Sequence, residues 1–365
     1  MIETKEAEEA RELVERVKRE VKKWLFGIDK AVDNLVMATF TLVPYMGDDT
    51  MLYGQAHAFL NDVPGVGKTA LIRALAKSIT AESAFCQGDP DKMPRDIAGG
   101  EIYVHALGKF FGIQGPIFTH FFLADEINRN PPKALAAILG PMEERTVTLP
   151  RTDLEKETMT EVSHRLHPVS NSPGDHFFLV IATANPVEQE GTYPVPEAAL
   201  DRFPLSFSLG YPPRGEEKKI RSGNVMNKRI EAVADLKTIL EIGRLIVNNV
   251  EFTENAIEYR MRIIENSRPR HPERRSATSK LREEVDRYIE YKGGIAPRTN
   301  FHFEALARTR AFMEGRTYIS VDDVRKAAKL TMAHKLRLSY QAIADRVSSE
   351  MMVKKILDGT EVPPK

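Results

Sequence analysis

The chain of 365 residues holds a single cysteine, Cys86, which excludes an internal disulfide framework and fits a reducing compartment. It also lacks an excess of either charge. The 52 Lys and Arg residues equal the 52 Asp and Glu residues, so no global field draws it to nucleic acid or an anionic membrane. No stretch approaches the uninterrupted apolar length of a membrane-spanning helix. The N-terminal "MIETKEAEEARELVERVKRE" is charged throughout and has none of the apolar region of a secretory signal, so the expected location is the cytoplasm. Internal repeats and low-complexity tracts are missing too. What remains is 42% hydrophobic and 28% charged, enough to bury sizeable cores in two or three domains.

Between Lys5 and Leu25, apolar residues recur every three or four positions, which predicts an amphipathic helix ended by Gly27. A second helix is expected around Val32–Leu42. Three short apolar runs, "AHAFLN", "THFFLADE" and "HFFLVIATAN", read as buried strands separated by helical patterns such as "KTALIRALAKSI". Strands alternating with helices imply an α/β fold with a parallel central sheet. Composition shifts at "LGYPPRGEEKK", and the chain beyond it reads as helical, with Ser320 as an N-cap and Asp323 at the third helical position as a weaker form of the capping-box pattern. The expected division is an N-terminal helix over 1–26, an α/β core over 27–212 and a helical lid over 213–365. Insertions are expected near 97–117, 150–175 and 268–282. The tail "LDGTEVPPK" is expected to fray.

"NDVPGVGKTA" carries the chemistry. In a phosphate-binding loop, backbone N–H groups curl around a phosphate at a helix start, a lysine offsets charge, and a hydroxyl ligates Mg²⁺. Gly65, Gly67, Lys68 and Thr69 supply these parts, and Pro64, Val66 and Ala70 complete the nucleotide-binding run. Asp62 stands where the template has its first glycine; Asp tolerates turn conformations, but its charge must point away from phosphate. "FFLADE" ends an apolar strand in Asp125, a residue type that holds Mg²⁺, and Glu126, which can deprotonate an attacking water. "IATANP" presents Asn185, a neutral amide able to contact γ-phosphate and water. "ALDRF" presents Arg202 and "GGIAPR" presents Arg298, whose guanidiniums match phosphate oxygens.

From about Gly27 to Leu338 the chain resembles the MoxR-type AAA+ ATPases. The most specific strings are "VPGVGKT", "GPIFTHFFLADEINRNPPKALAAILGPMEERTVTL", "IATANPVEQEGTYPVPEAALDRF", and "GGIAPR" followed by "HKLRLS". The resemblance implies a P-loop AAA+ core with a small helical lid, ATP and Mg²⁺ as cofactors, and ATP lying between core and lid. It places Lys68 and Thr69 in Walker A, Asp125 and Glu126 in Walker B, Asn185 as sensor 1, Arg202 as an arginine finger serving a neighbour, and Arg298 as sensor 2, acting with Lys68 on the phosphates. It further implies a ring, a hexamer in relatives, that remodels a partner protein or inserts a metal. A protein with a von Willebrand factor A domain is the implied partner. Two other readings stay open: a nucleic-acid-stimulated motor, and a nucleotide-binding scaffold with weak turnover because of Asp62.

Other signals have plainer readings. His164, His167 and His176 are expected as exposed histidines rather than a metal cluster, and Cys86 as a structural thiol. The basic residues near Arg270, Arg274 and Arg275 are expected in a solvated lid loop. Tyr103, Phe110 and Phe111, flanked by glycines, read equally as a hairpin packed on its own domain or one that touches a substrate.

Overall fold

The computed structural model describes residues 4–46, 51–61, 66–153, 158–169, 175–184, 193–216 and 228–364. Asp62, Pro64, Gly65 and Asn185, expected at the site, lie outside these. Helices α1 (Thr4–Lys22) and α2 (Asp29–Phe40) lead into an antiparallel ribbon of β1 (Leu42–Met46) and β2 (Met51–Gln55). Strand β3 (Ala58–Asn61) precedes α3 (Lys68–Ser78), and β4 (Ser83–Gln87) precedes α4 (Pro94–Ala98). A hairpin of β5 (Gly99–Val104) and β6 (Lys109–Gln114) follows, then β7 (Phe121–Asp125) and α5 (Pro132–Glu144). A second hairpin, β8 (Thr146–Asp153) and β9 (Thr158–Arg165), takes up part of the polar segment expected as an insertion over 150–175. Strand β10 (Leu179–Ala184), the short α6 (Glu197–Leu200) and β11 (Leu205–Phe207) complete this part.

The sheet runs β11-β3-β10-β7-β4 and every pairing in it is parallel. Because side chains alternate along a strand, each apolar run feeds two cores. Phe121 and Leu123 join the core beneath α1, α2 and α3, whereas Phe122 and Ala124 join the core beneath α5. Central strand β10 is buried along its whole length. The two outer strands escape sequence reading for physical reasons. β4 is an edge strand that leaves Phe85 44% exposed, and β11 has three residues, too few to show a period.

Beyond β11, the described elements are helices apart from one short parallel pair. They comprise α7 (Leu236–Asn249), β12 (Glu251–Phe252), α8 (Glu254–Asn266), α9 (Ser279–Tyr288), α10 (Thr299–Met313), β13 (Tyr318–Ile319), α11 (Val321–Thr331), α12 (Tyr340–Ala344) and α13 (Ser349–Gly359). Side-chain caps start most of them: Asp235, Thr253, Thr278, Ser320, Ser339 and Ser348 each accept an N–H of the first turn. α10 is the axis, burying Phe303, Leu306, Ala307 and Phe312 against α11, α7 and α2. No described helix is long and apolar enough to cross a membrane.

Two expectations need correction here. The tail is docked: Thr360 bridges Ala277 and accepts from Asn266 Nδ2 at 3.0 Å, and the Glu361 N–H donates to Ser276 O at 3.0 Å. Backbone pairing outweighs the polar composition. The basic segment is a solvated loop only in part: Arg270 and Arg275 are exposed as expected, but two other arginines turn inward. Arg274 is 7% exposed and pairs with Asp286 at 2.8 Å, and Arg268 Nε donates to Ile295 O at 2.9 Å. Arg268 and Arg274 thereby satisfy carbonyls and one carboxylate inside the fold.

The Ser320 capping box is present, and Asp323 does more than cap. Fully buried, it also accepts two bonds from the Arg316 guanidinium. Arg316 and the Ser320 hydroxyl hold its carboxyl below the usual range, against burial that would raise it. Asp323→Ala would leave Arg316 without that partner and the Ser320 N–H unbonded. We expect a loss of about 3 kcal/mol, read as a lower urea midpoint at unchanged slope.

Candidate active site

The C-terminal ends of β3, β10, β7 and β4 open on one edge of the sheet, where α/β folds receive ligands. Asn61 pairs with Ala184 and Gln87 with Asp125 at this edge. Gly67 precedes α3 with a φ of 91°, a left-handed conformation that suits glycine, and its carbonyl accepts from Leu71 N at 3.0 Å. Lys68 opens the helix, is 8% exposed, and places Nζ 3.4 Å from Asp125 Oδ1. Thr69 and Ala70 follow in the first turn, and Val66 is buried beneath it. The site thus has a helix N-terminus, a buried ammonium and a facing carboxylate, all suited to a phosphate chain with its cation.

Two residues that sequence reading did not single out organise the carboxylates. The Thr183 hydroxyl, one residue before the end of β10, donates to Asp125 Oδ1 and accepts the Glu126 N–H at 2.9 Å. Gln87, at the tip of β4, donates Nε2–H to Glu126 Oε2 at 2.9 Å, and Arg129 donates to the same oxygen at 3.1 Å. Glu126 itself has φ 52°, uncommon for a side-chain-bearing residue. The close packing of strand tips explains Gly88: a Cβ there would lie 2.0 Å from Glu126 O. The available signal was positional, since both partners sit at strand ends beside the acidic pair.

Arg202 and Arg298 lie elsewhere. Arg202 donates from Nε and Nη2 to Glu143 Oε2 at 2.9 and 2.7 Å, and Arg298 donates to Glu143 Oε1. They line a cavity of about 290 Å³ together with Tyr45, Gln55, His57 and Arg145. His57 immediately precedes β3, accepts Val180 N–H at 2.9 Å, and makes a 3.1 Å bond to the Met142 carbonyl. Arg202 precedes β11, whose first residue pairs with the first residue of β3. The cavity is therefore at the N-terminal edge of the sheet. The four residues of β3 span about 13 Å between it and the edge that carries Lys68. Arg298, expected beside Lys68, instead shares a carboxylate with Arg202, because the chain turns into α10 on that side.

The cavity is cationic: three guanidiniums face one carboxylate. Arg145 is buried and donates to Phe178 O at 2.6 Å and Gln55 O at 3.0 Å; burial pulls its pKa down to about 10. Burial, then Arg145, keeps His57 neutral, and burial, then Lys335, does the same for His302. Glu143 stays ionised because hydrogen bonds from Arg202 and Arg298 outweigh burial.

A buried joint supports this edge. Lys335 Nζ lies 3.5 Å from Asp201 Oδ1 and donates to His302 Nδ1 at 2.6 Å, and Thr299 donates to Asp201 at 3.4 Å. Neighbouring His334 bonds the Phe203 carbonyl at 2.9 Å, and burial, then Lys335, depresses its pKa to about 3. The unfolded imidazole protonates near 6.5, so below that pH the unfolded chain gains protons that folded His334 refuses. Stability should fall as pH drops from about 7 to 5, and melting of His334→Gln should fall less over that interval.

The histidine expectation needs correction. His176 is 3% exposed, with Nε2 3.1 Å from the Tyr45 hydroxyl, and His167 has a buried Nε2. His176 lies just before β10 and His167, whose carbonyl accepts the Phe177 N–H at 3.1 Å, lies beside it, whereas His164 sits half-exposed on β9. His167 meets Glu82 and His120, with potential ligand atoms within 4.8 Å. His120 Nδ1, however, accepts the Glu82 N–H at 3.1 Å, which keeps its proton on Nε2 and offers a metal no free lone pair there. Cys86 is buried, and burial raises its thiol pKa, as a structural thiol requires. On the β5–β6 hairpin, Tyr103 pairs with Phe110 and Ile102 with Phe111, and all four are at least 37% exposed. The hairpin does not bury these rings on its own domain.

Residues 57–205 match the ATPase family associated with various cellular activities (AAA), and residues 287–356 match the AAA lid domain. The uncharacterized protein YeaC of Bacillus subtilis is 34% identical over 317 residues, covering 86% of this chain and 87% of YeaC. Chaperone MoxR1 of Mycobacterium tuberculosis is 31% identical over 353 residues, covering 96% of this chain and 82% of MoxR1. A crystal structure from Cytophaga hutchinsonii, described as a candidate ATPase, superposes with a TM-score of 0.80 at 29% identity, covering 99% of this chain and 98% of that one. The two family matches span the core and the lid, the relatives cover most of the chain, and the chain belongs to the MoxR-type AAA+ ATPases.

Proposed function

We propose that this chain hydrolyses ATP at interfaces between copies of itself in a closed ring. The observation that carries the reading is the separation of charges onto opposite edges of one sheet. Lys68, Asp125 and Glu126 lie at one edge, Arg202 and Arg298 at the other. Within one chain these groups cannot enclose one triphosphate. A head-to-tail neighbour brings them together, and such contacts close into rings. We take the ring to be a hexamer, acting in the cytoplasm, on the family resemblance.

In this reading Lys68 and the α3 N-terminus bind the β- and γ-phosphates. Thr69 and Asp125 would hold Mg²⁺, for which an all-oxygen donor pair is suited, and the ion would offset phosphate charge. Glu126, oriented by Gln87 and Thr183, takes a proton from the attacking water. Asn185 positions that water. The neighbour's arginines stabilise charge that builds on the γ-phosphoryl oxygens.

The output is the remodelling of a protein, in keeping with the chaperone-named relative, and the exposed aromatic face of the β5–β6 hairpin is the surface that grips it. A partner with a von Willebrand factor A domain, and metal insertion as the result, extend this on the family resemblance alone. Mixing Lys68→Ala with Arg202→Ala subunits tests the interface site: recovered hydrolysis supports it, and none in confirmed mixed assemblies removes it.

A further inference from the structure

We propose that Glu143 is a positioning residue that occupies Arg202 and Arg298 until a neighbouring subunit presents a nucleotide, and then releases both. This rests on the interface reading above. Both oxygens of the Glu143 carboxylate are engaged, Oε2 by the side of the Arg202 guanidinium and Oε1 by Arg298. One carboxylate thus holds the two cations where a γ-phosphate would otherwise sit between them. Phosphate outcompetes it, with more charge and a third oxygen for the same forks.

The placement of Glu143 favours release. It lies in the last turn of α5, where the carbonyl end of the helix repels a carboxylate and no basic residue of that turn offsets it. The two arginines are what keep it there. Their backbones, by contrast, are fixed without it. Asp201, next to Arg202, is held by Lys335 and by Thr299, next to Arg298. Removing the carboxylate should free two side chains and leave their anchoring intact. Arg145 meanwhile keeps the cavity positive through bonds that do not involve Glu143.

Glu143→Gln separates this role from simple support. Hydrolysis is measured against subunit concentration, with folding checked by a cooperative melt. The holding role predicts half-maximal activity at a subunit concentration several-fold lower than wild type, with turnover at saturation undiminished. A fall in saturated turnover, or an unchanged concentration dependence, would overturn it. A second measurement needs no change at Glu143: a structure of assembled Glu126→Gln subunits with ATP. There Glu143 should stand beyond about 4 Å, out of ion-pair reach, from both guanidiniums; a carboxylate still bonded to arginines that touch the γ-phosphate refutes the exchange. Should the Lys68→Ala and Arg202→Ala mixture recover activity while Glu143→Gln changes nothing, the holding role alone is lost. If the mixture stays inactive, the interface reading goes with it.

Discussion

Glu126→Gln should bind ATP with little change and hydrolyse it at least about 100-fold more slowly, the range removed with a general base. The substitution keeps the shape of the side chain and an oxygen for Gln87 Nε2 and Arg129 to donate to, so the strand tips need not rearrange. It removes the group that accepts a proton. Lys68, Thr69 and Asp125 are untouched, and nucleotide affinity depends on them. Phosphate release under single-turnover conditions, with calorimetric titration of ATP, measures both quantities. Equal phosphate release by variant and wild type would remove Glu126 as the base. If neither protein releases phosphate while both take up ATP, the chain is the binding scaffold that Asp62 allows.

How much of this was legible depended on local pattern. The interior strands β3, β7 and β10 announced themselves as apolar runs because both faces are covered. Lys68, Asp125 and Glu126 were found because the chemistry sits at the ends of those strands. The lid helices showed as periodic runs, and Ser320 with Asp323 marked a start that the structure keeps. What the sequence hid was pairing across distance. Nothing local ties Glu143 to Arg298, 155 residues apart, or Gln87 to Glu126, 39 apart. The placement of Arg298 away from Lys68 of its own chain was hidden for the same reason: a motif gives order along the chain but not which edge of a sheet it faces. Polar residues in buried places misled similarly. His176, Arg274 and Thr360 looked like surface and are interior, each held by a partner visible only in three dimensions.

Arg202→Ala should lower hydrolysis by about 10³-fold or more, the size of effect seen when a positioned arginine is lost at a phosphoryl-transfer site. Lys68→Ala should be inactive for a different reason, loss of phosphate binding. If the two groups belong to different subunits of one site, a random equal mixture restores the interfaces in which an intact Lys68 faces an intact Arg202. Both conditions hold at one interface in four, so roughly a quarter of wild-type activity is expected whatever the ring size, if interfaces act independently. Arg298 gives the sharper contrast. Because it shares Glu143 with Arg202 at the edge away from Lys68, Arg298→Ala should also complement Lys68→Ala. Were Arg298 to act with Lys68 of its own chain, no subunit in that mixture would carry both, and activity would stay at background. Complementation by Arg202→Ala without Arg298→Ala would assign the two arginines to different sites, and the shared carboxylate would then mark only where the lid rests.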